Sequence, residues 1–179
     1  MRPFRDDSSA GLGGSLPIII VNTPEHLLFM VDHMLIKLGS YLRVLGYDAT
    51  WDPETRTYDL IRSANREQRV FLTRNTQLSD QYPAVNRVLV PADMEPVAQL
   101  HQVVKSFDLD PNAFLFSKCI RCTVSLESVP DRDTIKSRVH PNVFARFETF
   151  YQCPRCDTVF WKGTHVRNTC RKLKLEGMV

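Results

Sequence analysis

Four cysteines arranged as two C-x-x-C pairs constrain this chain more than any other feature. Cys119 and Cys122 form the first pair, Cys153 and Cys156 form the second, and thirty residues separate the pairs. Each pair can form a tight turn that offers two thiolates to one ion, so the two pairs together predict a closed tetrahedral zinc site. Because such a site has no open coordination position, we expect it to stabilise a small ribbon rather than to catalyse a reaction.

Other uses of the cysteines remain open. A redox-active dithiol needs only one C-x-x-C pair in a strand–helix–strand setting, and disulfides or an iron–sulfur cluster are the further alternatives. The fifth cysteine, Cys170, is left over and is most simply a free thiol.

The sequence predicts neither a membrane segment nor a secretory leader. No apolar run approaches the roughly 18 residues of a transmembrane helix, and Asp6 and Asp7 stand where a leader would have its apolar core. We therefore expect a soluble, cytoplasmic protein. A reducing compartment also favours metal over disulfide as the use of the cysteines.

Ahead of the cysteines, short apolar runs alternate with helical patterns. The predicted strands are residues 27–31, 49–51, 70–73 and 87–90, and 16–21 could add an edge strand. The predicted helices are residues 34–45, ended by Gly46, then 58–66, and a third that Asp93 caps. Strands that alternate with helices predict an α/β fold, with a parallel sheet flanked by helices.

Polar residues near the strand ends are the candidate site, because ligands of parallel sheets bind at the carboxyl ends of the strands. Asp32 follows the first strand, and Asn75 comes shortly after the third. Asp48 precedes or begins the second strand, and Asp59 opens the following helix. If these side chains converge, they form a site for a hard cation such as magnesium or manganese, which can assist phosphodiester hydrolysis. Asp48 could instead form an ion pair with Arg43 or cap a turn, and Asp59 could simply cap the N-terminus of its helix.

The charge is divided unevenly along the chain. Residues 118–179 have a net charge of +6, and residues 1–117 have a net charge of −3. Aromatic residues such as Phe160 and Trp161 lie among the cations of the basic part. Cations meet phosphates and rings stack on bases, so this part suits single-stranded nucleic acid, although the rings could equally pack the ribbon against the α/β domain.

Several segments resemble, in order, the motifs of one family. They are FMVDHMLIKLGSYLRVLGYD at residues 29–48, VFLTRN at 70–75, the two C-x-x-C pairs, and FWKGTH at 160–165. The chain is similar in these segments to the PIN-like ribonuclease domain with a C-terminal zinc ribbon, the family named for the C-terminal domain of the mutator-seven exonuclease. A position where that family often has aspartate is Asn75 here, which removes one negative charge from the site.

The resemblance implies a PIN-like α/β domain at residues 24–115 and a zinc ribbon at 116–166. Residues 1–23 would then be an N-terminal tail and 167–179 a basic C-terminal tail. The implied activity is a divalent-metal-dependent ribonuclease whose ribbon helps to bind single-stranded or structured RNA. The alternative is a PIN-like RNA-binding or ribosome- or tRNA-associated module with little or no catalytic activity.

The resemblance also assigns residues to roles. The catalytic residues would be Asp32, Asp48, Asp59 and Asn75, with Asp32 and Asp59 binding magnesium or manganese. Residues expected to contact the substrate are Lys37, Arg43, Thr73, Arg74, Trp161, Lys162 and His165. Zinc would be the structural cofactor, and no protein partner can be named.

Overall fold

The computed structural model describes residues 27–82, 88–89 and 91–173. Its larger sheet has four parallel strands in the order β2-β1-β3-β4. These strands are β1 (Leu28–Val31), β2 (Asp48–Thr50), β3 (Val70–Leu72) and β4 (Val88–Leu89). The predicted α/β class and parallel sheet are therefore confirmed. The possible strand at 16–21 and the N-terminal tail lie outside the described residues.

Six α-helices are found in the described part of the chain. They are α1 (Ile36–Val44), α2 (Thr57–Arg66), α3 (Leu78–Gln81), α4 (Pro96–Ser106), α5 (Pro141–Arg146) and α6 (Thr164–Lys172). Two 3-10 helices, His33–Leu35 and Arg132–Arg138, accompany them. None of the described helices is long and apolar enough to cross a membrane.

Both faces of the parallel sheet are covered, as the continuous apolar strands require. Phe29 and Val31 of β1 point into a core that includes residues of α1 and α4, whereas Met30 points into a second core with residues of α2 and α3. This alternation follows from the two-residue period of a strand.

Gly46 ends α1 as the sequence predicts. Its φ is +86°, a conformation that side chains rarely adopt, and a Cβ atom here would lie 2.0 Å from the carbonyl oxygen of Phe114. Only glycine lets the chain turn here while the segment before the cysteines packs against it.

A second, antiparallel sheet carries the cysteines. Its strands, in the order β5-β6-β7, are β5 (Glu127–Ser128), β6 (Tyr151–Gln152) and β7 (Val159–Phe160). The chain then returns to the first domain through α6, where Cys170 and Leu173 are buried in the same core as β1. Residues 167–173 thus form part of a packed helix and turn, which differs from the expected basic tail because one apolar side of this segment fits that core.

Arg43 joins the two sheets. Its side chain is 5% exposed, and its Nε donates to the carbonyl of Ala49 at 2.6 Å. Its Nη1 donates to the carbonyls of Ile120 and Arg121, at 3.0 and 2.9 Å, which lie between the first two cysteines. The guanidinium also stacks on the ring of Trp51, 3.7 Å from its centroid. Helix α1 therefore fixes the position of the first cysteine pair.

Candidate functional site

The two cysteine pairs adopt the same turn. In the first, the Cys119 amide donates to the carbonyl of Val124, and the Thr123 amide donates back to the carbonyl of Cys119. The second repeats these bonds at Cys153, with Thr158 and Asp157 in the equivalent places. The residue after the second cysteine of each pair has a positive φ, 66° at Thr123 and 56° at Asp157.

The geometry of the four thiols fits zinc. All four Sγ atoms lie within 4.8 Å of one another, and those of Cys119 and Cys156 are 3.7 Å apart. Tetrahedral zinc with bonds of about 2.3 Å would hold its sulfur ligands about 3.8 Å apart. Cys119 and Cys153 are fully buried, which suits a closed structural site.

The thiols differ in acidity. A hydrogen bond with Thr158, whose Oγ1 is 3.2 Å from Sγ, is the main cause that lowers the pKa of Cys156 to about 6. The hydrogen bond with Cys156 raises the pKa of Cys122 to about 12. Because a metal ion binds thiolates, binding of zinc would release the protons that remain on these thiols.

Asp32 lies where the order of the parallel strands reverses. From β1 the chain goes to β2 at one outer edge of the sheet, and from β3 it goes to β4 at the other outer edge. The carboxyl ends of β1 and β3 therefore border the crevice in which such folds bind ligands. Asp32 follows β1 and Thr73 follows β3; their exposures are 2% and 0%. The Thr73 hydroxyl donates to Asp32 Oδ2 at 2.6 Å and bridges the two strand ends.

The second oxygen of Asp32 has no hydrogen bond. Oδ1 is buried and makes no hydrogen bond, but it lies 2.6 Å from Nδ1 of His33, with which it forms an ion pair when the imidazole is protonated. A buried carboxylate oxygen without a hydrogen bond is costly, and a cation would satisfy it. Sequence reasoning did not include His33, although its position directly after Asp32, at the start of a 3-10 helix, was the available signal.

Asn75 lies beside this pair. The backbone N–H of Asn75 donates to the Thr73 hydroxyl at 3.1 Å, so Thr73 connects Asn75 to Asp32. The Asn75 side chain accepts from the Gln77 amide and donates to Gln81 Oε1, both at 3.0 Å. Its carbonyl oxygen has a second lone pair with which an amide can still bind a cation.

Three further expected residues lie at the same edge of the sheet, which we call the carboxyl edge. Asp59 is exposed in the first turn of α2, which begins after β2 ends, and Lys37 is exposed in the first turn of α1. Arg74 is half-buried, and its Nη1 donates to the carbonyls of Ala92 and Asp93. Arg74 therefore already anchors the segment before α4.

Asp48 lies at the opposite edge, which we call the amino edge. It is the first residue of β2 and pairs with Leu28, the first residue of β1. Asp32 comes four residues after Leu28, so at about 3.3 Å per residue the two carboxylates lie about 13 Å apart along the strand. Asp48 instead binds Arg69, whose Nη1 donates to Oδ1 at 2.6 Å. The expected convergence of Asp48 with Asp32 is therefore not observed.

Other expected substrate contacts are engaged elsewhere. Arg43 is buried in the junction described above, where its donors bind backbone carbonyls, so it does not face a substrate. Trp161 is half-buried and meets the ring of Phe150 edge-on at 6.5 Å, a contact within the ribbon itself. Lys162 is exposed, and His165 belongs to α6.

Within the described residues, the cysteines are the one group of three or more histidine, cysteine or acidic side chains close enough to hold an ion. Asp32, Asp48 and Asp59 do not form such a group. A divalent cation at the carboxyl edge would therefore depend mainly on Asp32, the buried carboxylate of this edge, and could not be held by a cluster of three acidic side chains.

The comparison with protein families agrees with this architecture. The family model described as Mut7-C RNAse domain matches residues 28–173, which include the parallel sheet, the four cysteines and α6. No curated protein sequence matches the chain. The family description indicates a ribonuclease-like function.

Proposed function

Because this chain belongs to the Mut7-C RNase domain family, we propose that it hydrolyses RNA phosphodiester bonds with a divalent cation at the carboxyl edge of the sheet. The observation that carries the proposal is the buried pair of Asp32 and Thr73 at the reversal of strand order. There one carboxylate oxygen is fixed by the Thr73 hydroxyl, and the other makes no hydrogen bond and has only the His33 imidazole nitrogen, at 2.6 Å, beside it.

The ligand chemistry supports magnesium or manganese. Magnesium in proteins keeps several waters and often uses only one or two carboxylates together with phosphates of the substrate. Asp32 would be the central ligand, with Asp59 from α2 and the Asn75 carbonyl completing the protein's share. When bound, such an ion lowers the pKa of water and neutralises charge that develops on the phosphate.

The chain's own residues then have distinct tasks. The Thr73 hydroxyl holds the Asp32 carboxylate in one orientation, and the exposed ammonium of Lys37 attracts the phosphate. Tyr58, which is 54% exposed at the start of α2, offers a ring on which a base can stack. Asp48 and Arg43 have no task in this centre, since one lies at the other edge and the other is buried in the junction. The zinc ribbon is proposed to assist RNA binding through its basic surface.

The test compares Asp32→Asn with Asp108→Asn. Both variants replace a carboxylate with an amide, but Asp108 is exposed at the end of α4 and has a φ of 49°, which asparagine tolerates. With single-stranded RNA and a manganese series, we expect Asp32→Asn to lose cleavage by at least about a hundredfold, and Asp108→Asn to match the wild type. Equal cleavage by the wild type and Asp32→Asn would refute this centre.

A second candidate is an RNA-binding module without hydrolysis. It is favoured by the exposure of Asp59 and by the amide at position 75, which leave Asp32 as the one buried acid among the described residues of this edge. It predicts RNA binding that weakens steeply with salt, with no cleavage by either the wild type or Asp32→Asn at any manganese concentration.

A further inference from the structure

We propose that a polar cleft at the amino edge binds a phosphate of the RNA backbone, an inference that rests on the proposed RNA substrate. The cleft has a volume of about 370 Å³ and is open to solvent. It lies between the sheet, which contributes Thr50 and Arg69, and the first cysteine turn, beside which Lys118 and Ser125 lie. Arg155, from the second cysteine turn, completes the wall.

The charges of the cleft suit an anion. Arg69 forms ion pairs with Asp48 and Glu67, each at 2.6 Å. Burial alone would lower the pKa of Arg69, but the two carboxylates raise it. Arg69 is therefore always charged, and its charge is balanced by these two acids. Lys118 and Arg155 have no ion-pair partner in the part of the chain that the structure describes. Lys118 and Arg155 therefore face a cleft that also contains the Asp48 carboxylate, paired with Arg69, and the Cys122 thiol of the metal site. The hydroxyls of Thr50 and Ser125 in the same wall can donate to phosphate oxygens.

The neighbouring surface favours recognition of the backbone over recognition of a base. Lys118 also borders an apolar cavity formed with Ile120, Tyr151 and Trp161. That cavity has a volume of only about 30 Å³. Such a space holds one or two waters and cannot hold a nucleobase. The cleft itself is lined by cations and hydroxyls, so its contacts should be to phosphate and independent of sequence.

The position of the cleft points to a polymer. Asp48 and Thr50, the first and last residues of β2, both line it, and their partners in β1 lie four and two residues before Asp32, so the cleft lies about 7 to 13 Å from Asp32 along the strand direction. A free phosphate ion could occupy the cleft but could not also reach Asp32. An RNA strand can contact both edges, so the cleft would hold the substrate at a second point and increase its residence time.

The experiment measures binding without catalysis. In the Asp32→Asn background, Lys118→Ala, Arg155→Ala and the double variant are compared by fluorescence anisotropy with a labelled oligouridine of about 20 nucleotides, over a salt series. Lys105→Ala on α4 and Arg66→Ala on α2 remove the same charges from exposed positions outside the cleft and outside the ribbon. Zinc content is measured for every variant, since residues 118 and 155 adjoin zinc ligands.

We expect each single substitution in the cleft to weaken binding about two- to fivefold. Each should also reduce the slope of log affinity against log salt by about 0.7, and the double variant by about twice that amount. Lys118→Arg and Arg155→Lys keep the charge and should restore the slope, whereas the two control variants should leave affinity and slope unchanged.

The opposite results are equally clear. A zinc-loaded double variant that binds like the controls would overturn the proposal, and so would inorganic phosphate competing as strongly as the oligonucleotide. If the cleft variants have a smaller slope of log affinity against log salt but the wild type does not cleave RNA, the hydrolysis proposal is refuted and the cleft proposal stands. If the wild type cleaves RNA but the double variant keeps the wild-type salt slope, the cleft proposal is refuted and the hydrolysis proposal stands.

Discussion

Replacement of Arg43 tests whether the junction of the two sheets depends on one side chain. In Arg43→Ala, three hydrogen bonds to carbonyls and the stacking on Trp51 are lost. Hydrogen bonds from a charged group contribute about 1.5–3 kcal/mol each and a desolvated cation–π contact about 2 kcal/mol, before the cost of dehydrating the guanidinium is subtracted. That cost is several kcal/mol, and it is visible in the pKa of Arg43, which burial lowers.

Two compensations reduce the loss. The Ala49 carbonyl keeps a second donor, the Thr123 hydroxyl at 3.0 Å, and the exposed residues Ile120 and Arg121 can exchange the lost bonds for water. We therefore expect Arg43→Ala to lower the free energy of unfolding by about 2–4 kcal/mol. Arg43→Lys, which keeps the charge but loses the planar fork, should cost about half as much.

The assay is urea unfolding at neutral pH, combined with the rate of zinc transfer to a chromophoric chelator. Because Arg43 binds the backbone between the first two cysteines, Arg43→Ala should also release zinc faster than the wild type. Arg66→Ala is the control, since Arg66 makes only exposed contacts, an ion pair with Glu67 and a hydrogen bond to the Ser63 hydroxyl, and its loss should change stability by less than about 0.5 kcal/mol. If Arg43→Ala also changed the free energy of unfolding by less than about 0.5 kcal/mol and released zinc at the wild-type rate, the reasoning would be refuted.

Two further predictions concern other single positions. Gly46→Ala should destabilise the chain by about 2–5 kcal/mol in the same urea assay, because its Cβ would overlap the Phe114 carbonyl and its φ is positive. Gly46→Asn should be at least as unstable as Gly46→Ala, because asparagine tolerates the positive φ but still carries the overlapping Cβ. If Gly46→Asn were clearly more stable than Gly46→Ala, the overlap would not contribute and only the backbone conformation would matter. Asn75→Asp should lower the manganese concentration for half-maximal cleavage about tenfold, since a carboxylate binds a hard cation more strongly than an amide. An unchanged manganese requirement would remove Asn75 from the cation site.

The fold was predictable because local patterns agreed with the tertiary structure. The apolar strands, the helix that Gly46 ends and the two cysteine turns all carry signals within a few residues of sequence. The role of Arg43 carried no such signal, since its partners Ile120 and Arg121 lie more than seventy residues away. Docking between two units depends on contacts that a pattern of neighbours does not encode.

The candidate site was predictable only in part, and Asp48 shows why. The sequence placed a strand at residues 49–51, and the first residue of a parallel strand lies at the amino edge of the sheet. Topology alone therefore argued against grouping Asp48 with Asp32, but Asp48 was grouped with Asp32 as a polar residue near a strand end, and the resemblance to the family's motif supported that grouping. A motif identifies which residues a family shares, whereas the direction of each strand decides which of them meet.

The division between the two edges follows from where the ribbon docks. Residues 118–179 have a net charge of +6, but that charge acts on a substrate only from the surface that the docked ribbon presents. Arg43 and the bond from Thr123 to Ala49 attach the first cysteine turn beside β2, so Lys118 and Arg155 come to line the amino edge. The buried acid stays at the carboxyl edge, about 13 Å away along β1. If the proposed cleft binds RNA, the bound metal would act on binding by fixing the turns that carry these cations, and its removal should weaken binding even if Asp32 and Thr73 keep their positions.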